Sequence, residues 1–235
     1  MVIVLILLTI AAFLILDYYV QRRRVERVGE PGTIAAQAAR DTADIVHVPC
    51  GTYMAPGHTW LRPEDDGAVR VGAGRVPLHA LGALDNVQLL RRGSSVIEGD
   101  TIAVLVRGAR TLRLVSPVEG VVDSVNTDLV RAPSRMVESP FGSGWLYTIR
   151  PRELAQALRR TFVAEEAEGF VRRELARLRD ALSRPAEGAE PELALLDGGV
   201  PLEGFAERLS EAQWTSVSRT MFESPPAETE PDLGR

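Results

Sequence analysis

Few residues in this chain combine a reactive type with a suggestive spacing. The densest set is Arg107, Arg110 and Arg113, three guanidinium groups around Gly108-Ala109 in the run VLVRGARTLRLV. Such a cluster could bind carboxylates or anionic head groups, but it cannot supply a nucleophile, because guanidinium stays protonated. All 27 basic residues are arginine and none is lysine. No side-chain amine is therefore available for a Schiff base or for amide attachment of a carboxyl-bearing prosthetic group.

Cys50 is the only cysteine, which excludes an intramolecular disulfide and a multi-thiolate metal site within these residues. His47 lies three positions before it, but two ligands without a second pair make no zinc motif, and no metal is expected. As a redox thiol Cys50 would want an electropositive setting, and Val48-Pro49-Cys50-Gly51 offers none. A small apolar filler is the expectation. His79 has no partner visible in the sequence. Gly72-Ala73-Gly74 lacks the third glycine of a dinucleotide fingerprint, no phosphate loop occurs, and Phe141-Gly142-Ser143-Gly144-Trp145 has the wrong spacing for a nucleophile elbow. No catalytic constellation and no cofactor are expected.

The elements that must position the arginines are short strands. From Tyr53 to Arg150, β-rich runs alternate with turns: Thr59 to Leu61, Ala68 to Val71, Val87 to Leu90, Thr101 to Val106, Thr111 to Val115, Val121 to Val125 and Trp145 to Ile149. Turn signals at Asp65-Asp66-Gly67, Arg92-Gly93, Glu98-Gly99-Asp100, Gly108 and Glu119-Gly120 separate them. Many short strands at close spacing predict a small barrel or sandwich. The three arginines then flank the tip of one hairpin.

Gly57-His58-Thr59-Trp60, Gly72, Ala80-Leu81-Gly82, Gly93, Gly99, Pro117-Val118-x-Gly120, Asn126, Pro133 and Pro140-Phe141-Gly142-Ser143-Gly144-Trp145-Leu146 together resemble the glycine cleavage H protein, of the biotinyl/lipoyl-carrier superfamily. The resemblance covers about residues 53 to 150. It implies a mainly-β, flattened lipoyl-type barrel, a β-barrel-sandwich hybrid with small helices, and a packing or hydrogen-bonding role for His58 beside Trp60. It also implies a lipoyl lysine at the hairpin tip. Carried over position by position, that lysine falls on Ala109, the family's upstream Glu on Val106 and its downstream Asp on Arg113. All three differ, so the resemblance implies the scaffold of a carrier without its acyl acceptor.

Around this domain the composition changes. Residues 1–20 are apolar up to Asp17 apart from Thr9, about the ~20 residues a membrane-spanning helix needs. Tyr18 and Tyr19 suit an interfacial belt, and Arg22, Arg23, Arg24 and Arg27 follow on one flank only. The basic start and small-residue cleavage motif of a signal peptide are absent, so an uncleaved anchor is expected, with lipid as a partner and the remainder on the cytoplasmic side of an inner (cytoplasmic) membrane. Residues 21–52 read as a juxtamembrane spacer with a short Ala-rich helix at Thr33 to Ile45.

Residues 151–223 read as a helical extension. Pro151 opens it, Leu154, Leu158 and Phe162 recur at helical spacing, and Phe170, Leu175, Leu178 and Leu182 form a second stripe. Pro185 to Glu192 is linker-like. Pro201 opens a further helix with the face Leu202, Phe205, Leu209, Trp214, Val217 and Met221. Residues 224–235, SPPAETEPDLGR, have the composition of a disordered tail.

A net charge of -5 gives no global attraction to nucleic acid, and 45% hydrophobic with 25% charged residues excludes wholesale disorder. The expectation is a non-enzymatic, non-lipoylated, membrane-tethered docking module with an unidentified protein partner. Its possible contact surface is the tip at Arg107, Arg110 and Arg113, unless these merely keep the turn solvated. The alternatives are an accessory protein of glycine cleavage or lipoate-linked metabolism, and an adaptor of a membrane transport complex.

Overall fold

The computed structural model describes residues 39–40, 42–182 and 201–223. The chain divides into two compact units, Met1–Asp41 and Thr42–Arg235, and every described strand lies in the second. The expected anchor at residues 1–20, the linker around 185–192 and the tail at 224–235 lie outside the described residues. Among the described residues, no helix is long and apolar enough to cross a membrane.

Two antiparallel sheets form the core. The larger has the order β10-β1-β2-β3-β9-β8-β5, built from β1 (Tyr53–Met54), β2 (Thr59–Pro63), β3 (Val69–Ala73), β5 (Ser95–Val96), β8 (Gly120–Val125), β9 (Trp145–Pro151) and β10 (Phe162–Val163). The smaller has the order β4-β6-β7, with β4 (Asn86–Leu89), β6 (Thr101–Arg107) and β7 (Arg110–Val115). Strand alternation explains the packing: on β7, Leu112 and Leu114 are buried while Thr111 and Arg113 point outward. All seven strands expected from the sequence are present. β1, β5 and β10, two residues each, carry no such pattern.

Small helices connect the sheets: α1 (Arg75–Leu81), α2 (Asp128–Arg131) and α3 (Ser134–Glu138). Gly72 is required where β3 crosses Trp60, since a Cβ there would stand 2.5 Å from the indole ring. The ring itself is fully buried.

Tyr147 on β9 ties the two sheets. Its hydroxyl accepts from the Leu90 N–H at 2.7 Å and donates to the Ile102 carbonyl at 2.7 Å. Burial pushes the phenol up to about 12, against a smaller opposing effect of the Leu90 hydrogen bond. A raised folded value means that the contribution is complete below the unfolded value of about 10 and is lost as pH rises through the folded one. Tyr147→Phe should cost about 1–3 kcal/mol by leaving the buried Ile102 carbonyl and the part-buried Leu90 N–H without this partner. It should also flatten the fall in stability above about pH 10, read from urea unfolding across that range.

The extension differs from its sequence expectation in two places. α4 (Leu154–Arg159) carries Leu154 and Leu158, but Phe162 lies on β10 opposite Met54 rather than on a helix. Its ring stacks on Phe170 at 4.7 Å, so the apolar spacing reflects packing, not helical periodicity. α5 (Glu165–Leu182) follows as expected and buries Phe170, Leu175 and Leu178.

Beyond it, residues 201–223 form a broken strap: a 3-10 turn at Phe205–Arg208, α6 (Glu211–Ser218) and a π-helical turn at Arg219–Glu223. The single helix expected from Pro201 is interrupted because Ser210 caps α6. Its hydroxyl accepts from Gln213 N–H while the Gln213 side chain accepts from Ser210 N–H, a reciprocal capping box.

Candidate functional site

The hairpin between β6 and β7 turns at Gly108-Ala109. Gly108 has φ +53° and Ala109 is not left-handed, the pattern of a type II′ turn, which matches strand twist. Arg107 and Arg110 then face each other across the turn. Like charges in that register repel, so acceptors must surround them.

The acceptors come from this chain. Arg107 Nε donates to Glu207 Oε1 at 2.8 Å and its Nη1 to the Ala83 carbonyl at 3.2 Å. Gly108 N–H donates to Asp85 Oδ2 at 2.7 Å. Arg110 donates to the Leu209 carbonyl. Trp214 Nε1 donates to the Thr111 carbonyl on the outer edge of β7 at 2.9 Å. Arg113, 61% exposed, lies 3.8 Å from Glu223, a surface pair worth at most about 1 kcal/mol.

The three sequence-predicted interaction residues are thus gathered at one place, and the strap meets each of them. His79, without a visible partner in the sequence, contacts the Pro201 carbonyl through Nε2 at 2.8 Å, and the Gly204 N–H donates to the His79 carbonyl at 2.9 Å. The strap therefore runs from α1 across the tip to the end of β7.

Magnitude decides whether it is a removable cover. Phe205, Trp214, Met221 and Phe222 of the strap are all buried. At about 1.5–3 kcal/mol for each large side chain, these four contribute on the order of 6–12 kcal/mol, comparable to the net stability of a whole domain. The strap is an integral part of the fold. It engages Arg107 and Arg110 in cis, while Gly108 and Ala109 at the turn stay exposed.

His58 is buried at the β1–β2 turn in a left-handed conformation, φ 58°. Its ring lies between Phe170 of α5 at 5.4 Å and Phe222 of the strap at 5.3 Å. Nδ1 has no hydrogen-bond partner, and Nε2 faces Glu174 Oε2 at 3.5 Å, the long limit of such contacts. Glu174 Oε1 accepts from Arg177 at 2.7 Å. Burial pushes the Glu174 carboxyl up, but His58 and then Arg177 outweigh it and hold it below the usual carboxylate value. This is a fastening between barrel, α5 and strap, whereas the sequence suggested a role for His58 within the barrel alone.

Cys50 is exposed, not packed as a filler. His47 is directed to Glu168 at 3.5 Å. Among the described residues, no three His, Cys, Asp or Glu side chains are grouped as metal ligands. Glu207 and Glu223, which complete the tip, have no signature in the sequence, and Trp214 reads there only as part of an apolar helix face. They contact residues about 100 positions away, and no local pattern records that pairing.

An H-protein-like carrier scaffold is what the sheets and hairpin define. The sequence profile of the family described as Glycine cleavage H-protein matches residues 52–174. The glycine cleavage system H protein of Pseudoalteromonas atlantica is 31% identical over 125 residues, 53% of this chain and 89% of its own length. The glycine cleavage system H-like protein of Chlamydia pneumoniae is 36% identical over 93 residues, 40% of this chain and 81% of its own. A solved glycine cleavage system H protein from Mycobacterium marinum shares 31% identity, covering 52% of this chain and 97% of that one, with a TM-score of 0.47. The chain belongs to the glycine cleavage H-protein family. The matched residues end at Glu174, so the strap lies wholly beyond them.

Proposed function

We propose that this protein is a non-catalytic, non-lipoylated member of the H-protein family, serving as a docking module tethered to the cytoplasmic membrane by residues 1–20. One observation carries the reading: Ala109 stands where the resemblance places the acyl acceptor, in a sequence without lysine, and the tip around it is held by the chain's own strap. A swinging arm needs a nucleophilic amine for attachment, and none is provided here. Arg107 and Arg110 serve the strap, which turns the search for a partner surface to other parts of the barrel.

Mass spectrometry of the chain recovered from native membranes tests this. The expected mass is that of the unmodified polypeptide, 25.6 kDa. A lipoyl or other carrier adduct would overturn the docking reading, and recovery only from the soluble fraction would overturn the tether.

A second reading, an accessory role in glycine cleavage, is favoured by the family match across residues 52–174. Binding to purified glycine decarboxylase or aminomethyltransferase would select it over a partner outside that system.

A further inference from the structure

A cleft of about 630 Å3 lies between the turn after β4, the end of β8 and α2. Its floor and wall are Leu89, Leu90, Val125 and Val130, and Val130 is 56% exposed, one of the few large apolar side chains left open to water among the described residues. Arg91 and Arg92 form the rim. Asp123 in the same rim pairs with Arg92 at 3.3 Å and with Arg150 at 3.2 Å, and Arg150 also pairs with Asp66 at 3.3 Å, so these four charges balance. Arg91 is exposed with no carboxylate partner among the described residues, and so is Arg131, next to Val130. The cleft is therefore apolar within and net positive at its edge.

Its walls are also fixed before any ligand arrives. Leu90 N–H is held by the Tyr147 hydroxyl. The turn after β8 is held by Asn126, whose Nδ2 donates to the carbonyls of Ser143 at 2.9 Å and Trp145 at 2.8 Å. A preformed cleft avoids the ordering cost that weakens binding to mobile surfaces, and its volume falls in the range of sites that hold a ligand-sized segment. The basic tip, by contrast, already has its acidic and aromatic groups supplied in cis.

We propose that this cleft is the docking surface for an acidic linear segment of a partner protein, with apolar side chains entering between Leu90 and Val130 and flanking carboxylates meeting Arg91 and competing with Asp123 for the exposed Arg92. Charge complementarity selects this occupant: an uncharged apolar segment would leave Arg91 unmatched, and a basic one would be repelled. The proposal rests on the docking-module reading and gives it a surface.

The test uses the full chain in nanodiscs of neutral lipid and a fluorescein-labelled, capped peptide of sequence Glu-Glu-Leu-Leu-Glu-Glu, followed by fluorescence anisotropy. Saturable binding with Kd on the order of 1 mM or tighter is expected, weakening as salt rises because the rim charges are exposed. Arg91→Glu combined with Arg92→Glu, and separately Val130→Asp, should each weaken it by about tenfold or more. These positions are exposed, and an unchanged thermal midpoint confirms that folding is intact. No saturable binding, equal binding of a Gln-for-Glu control peptide, or indifference to all three substitutions would overturn the proposal. Failure here with an unmodified mass removes only the cleft; a carrier adduct removes the docking reading whatever the peptide does.

Discussion

Replacing Phe222 by alanine is expected to lower the unfolding free energy by about 3–5 kcal/mol, the usual cost of emptying a buried phenylalanine site. The ring is fully buried at the end of the strap, beside His58, and its neighbour Met221 is buried with it. The surrounding strands and α5 are fixed by their own hydrogen bonds and cannot collapse into the space. For a domain of this size the thermal midpoint should fall by roughly 6–20 °C. Urea unfolding should show a lower midpoint with an unchanged slope, because the same surface is exposed on unfolding. Arg113→Ala, touching the same strap through one exposed pair, should change stability by no more than about 1 kcal/mol. The contrast separates an integral strap from a loose cover. A Phe222→Ala cost below about 1 kcal/mol would mean that the strap leaves readily and the basic tip is open to partners.

The strands of the carrier domain were legible because each has its own local signature. Thr111-Leu112-Arg113-Leu114 alternates, and Gly108 marks the turn between two such runs. Trp60 and Gly72 are readable as a pair only through the family resemblance, yet their 2.5 Å clearance shows a physical reason for the glycine. The partners of the arginines were not legible. Glu207 and Glu223 are two acidic residues among many, and their meeting with Arg107 and Arg113 depends on where the strap lands. Periodicity misled at Phe162, where the i, i+4 spacing from Leu158 continued past the end of a helix into a two-residue strand. Residues 201–223 read as one helix because Ser210 fits both a helix interior and a cap, and only the reciprocal bonds with Gln213 decide between them.

Glu174→Ala is expected to cost about 1–3 kcal/mol at neutral pH, the range for leaving a buried polar group without its partner. The loss has two sources. Arg177 loses its carboxylate at 2.7 Å, and buried His58 is left with no polar group at Nε2. Glu174→Gln should cost less, since an amide oxygen still faces both groups. The pH dependence gives an independent readout. The Glu174 carboxyl is held below its usual value in the folded state, so the unfolded chain binds its proton more readily. Its contribution is then complete above the unfolded value of about 4.3 and is lost as pH falls through the lower folded value. The groups that bear on this carboxylate are His58 from the β1–β2 turn and Arg177 from α5 itself. Stability measured by urea unfolding from pH 7 downward should therefore fall less steeply below about pH 4.3 in Glu174→Gln than in the parent chain. Equal slopes, with a neutral-pH cost under about 1 kcal/mol, would show that the carboxylate does not fasten α5 and the strap to the barrel. The strap's hold on the barrel would then rest on the apolar contacts of Phe205, Trp214 and Phe222 together with the hydrogen bonds at the hairpin tip.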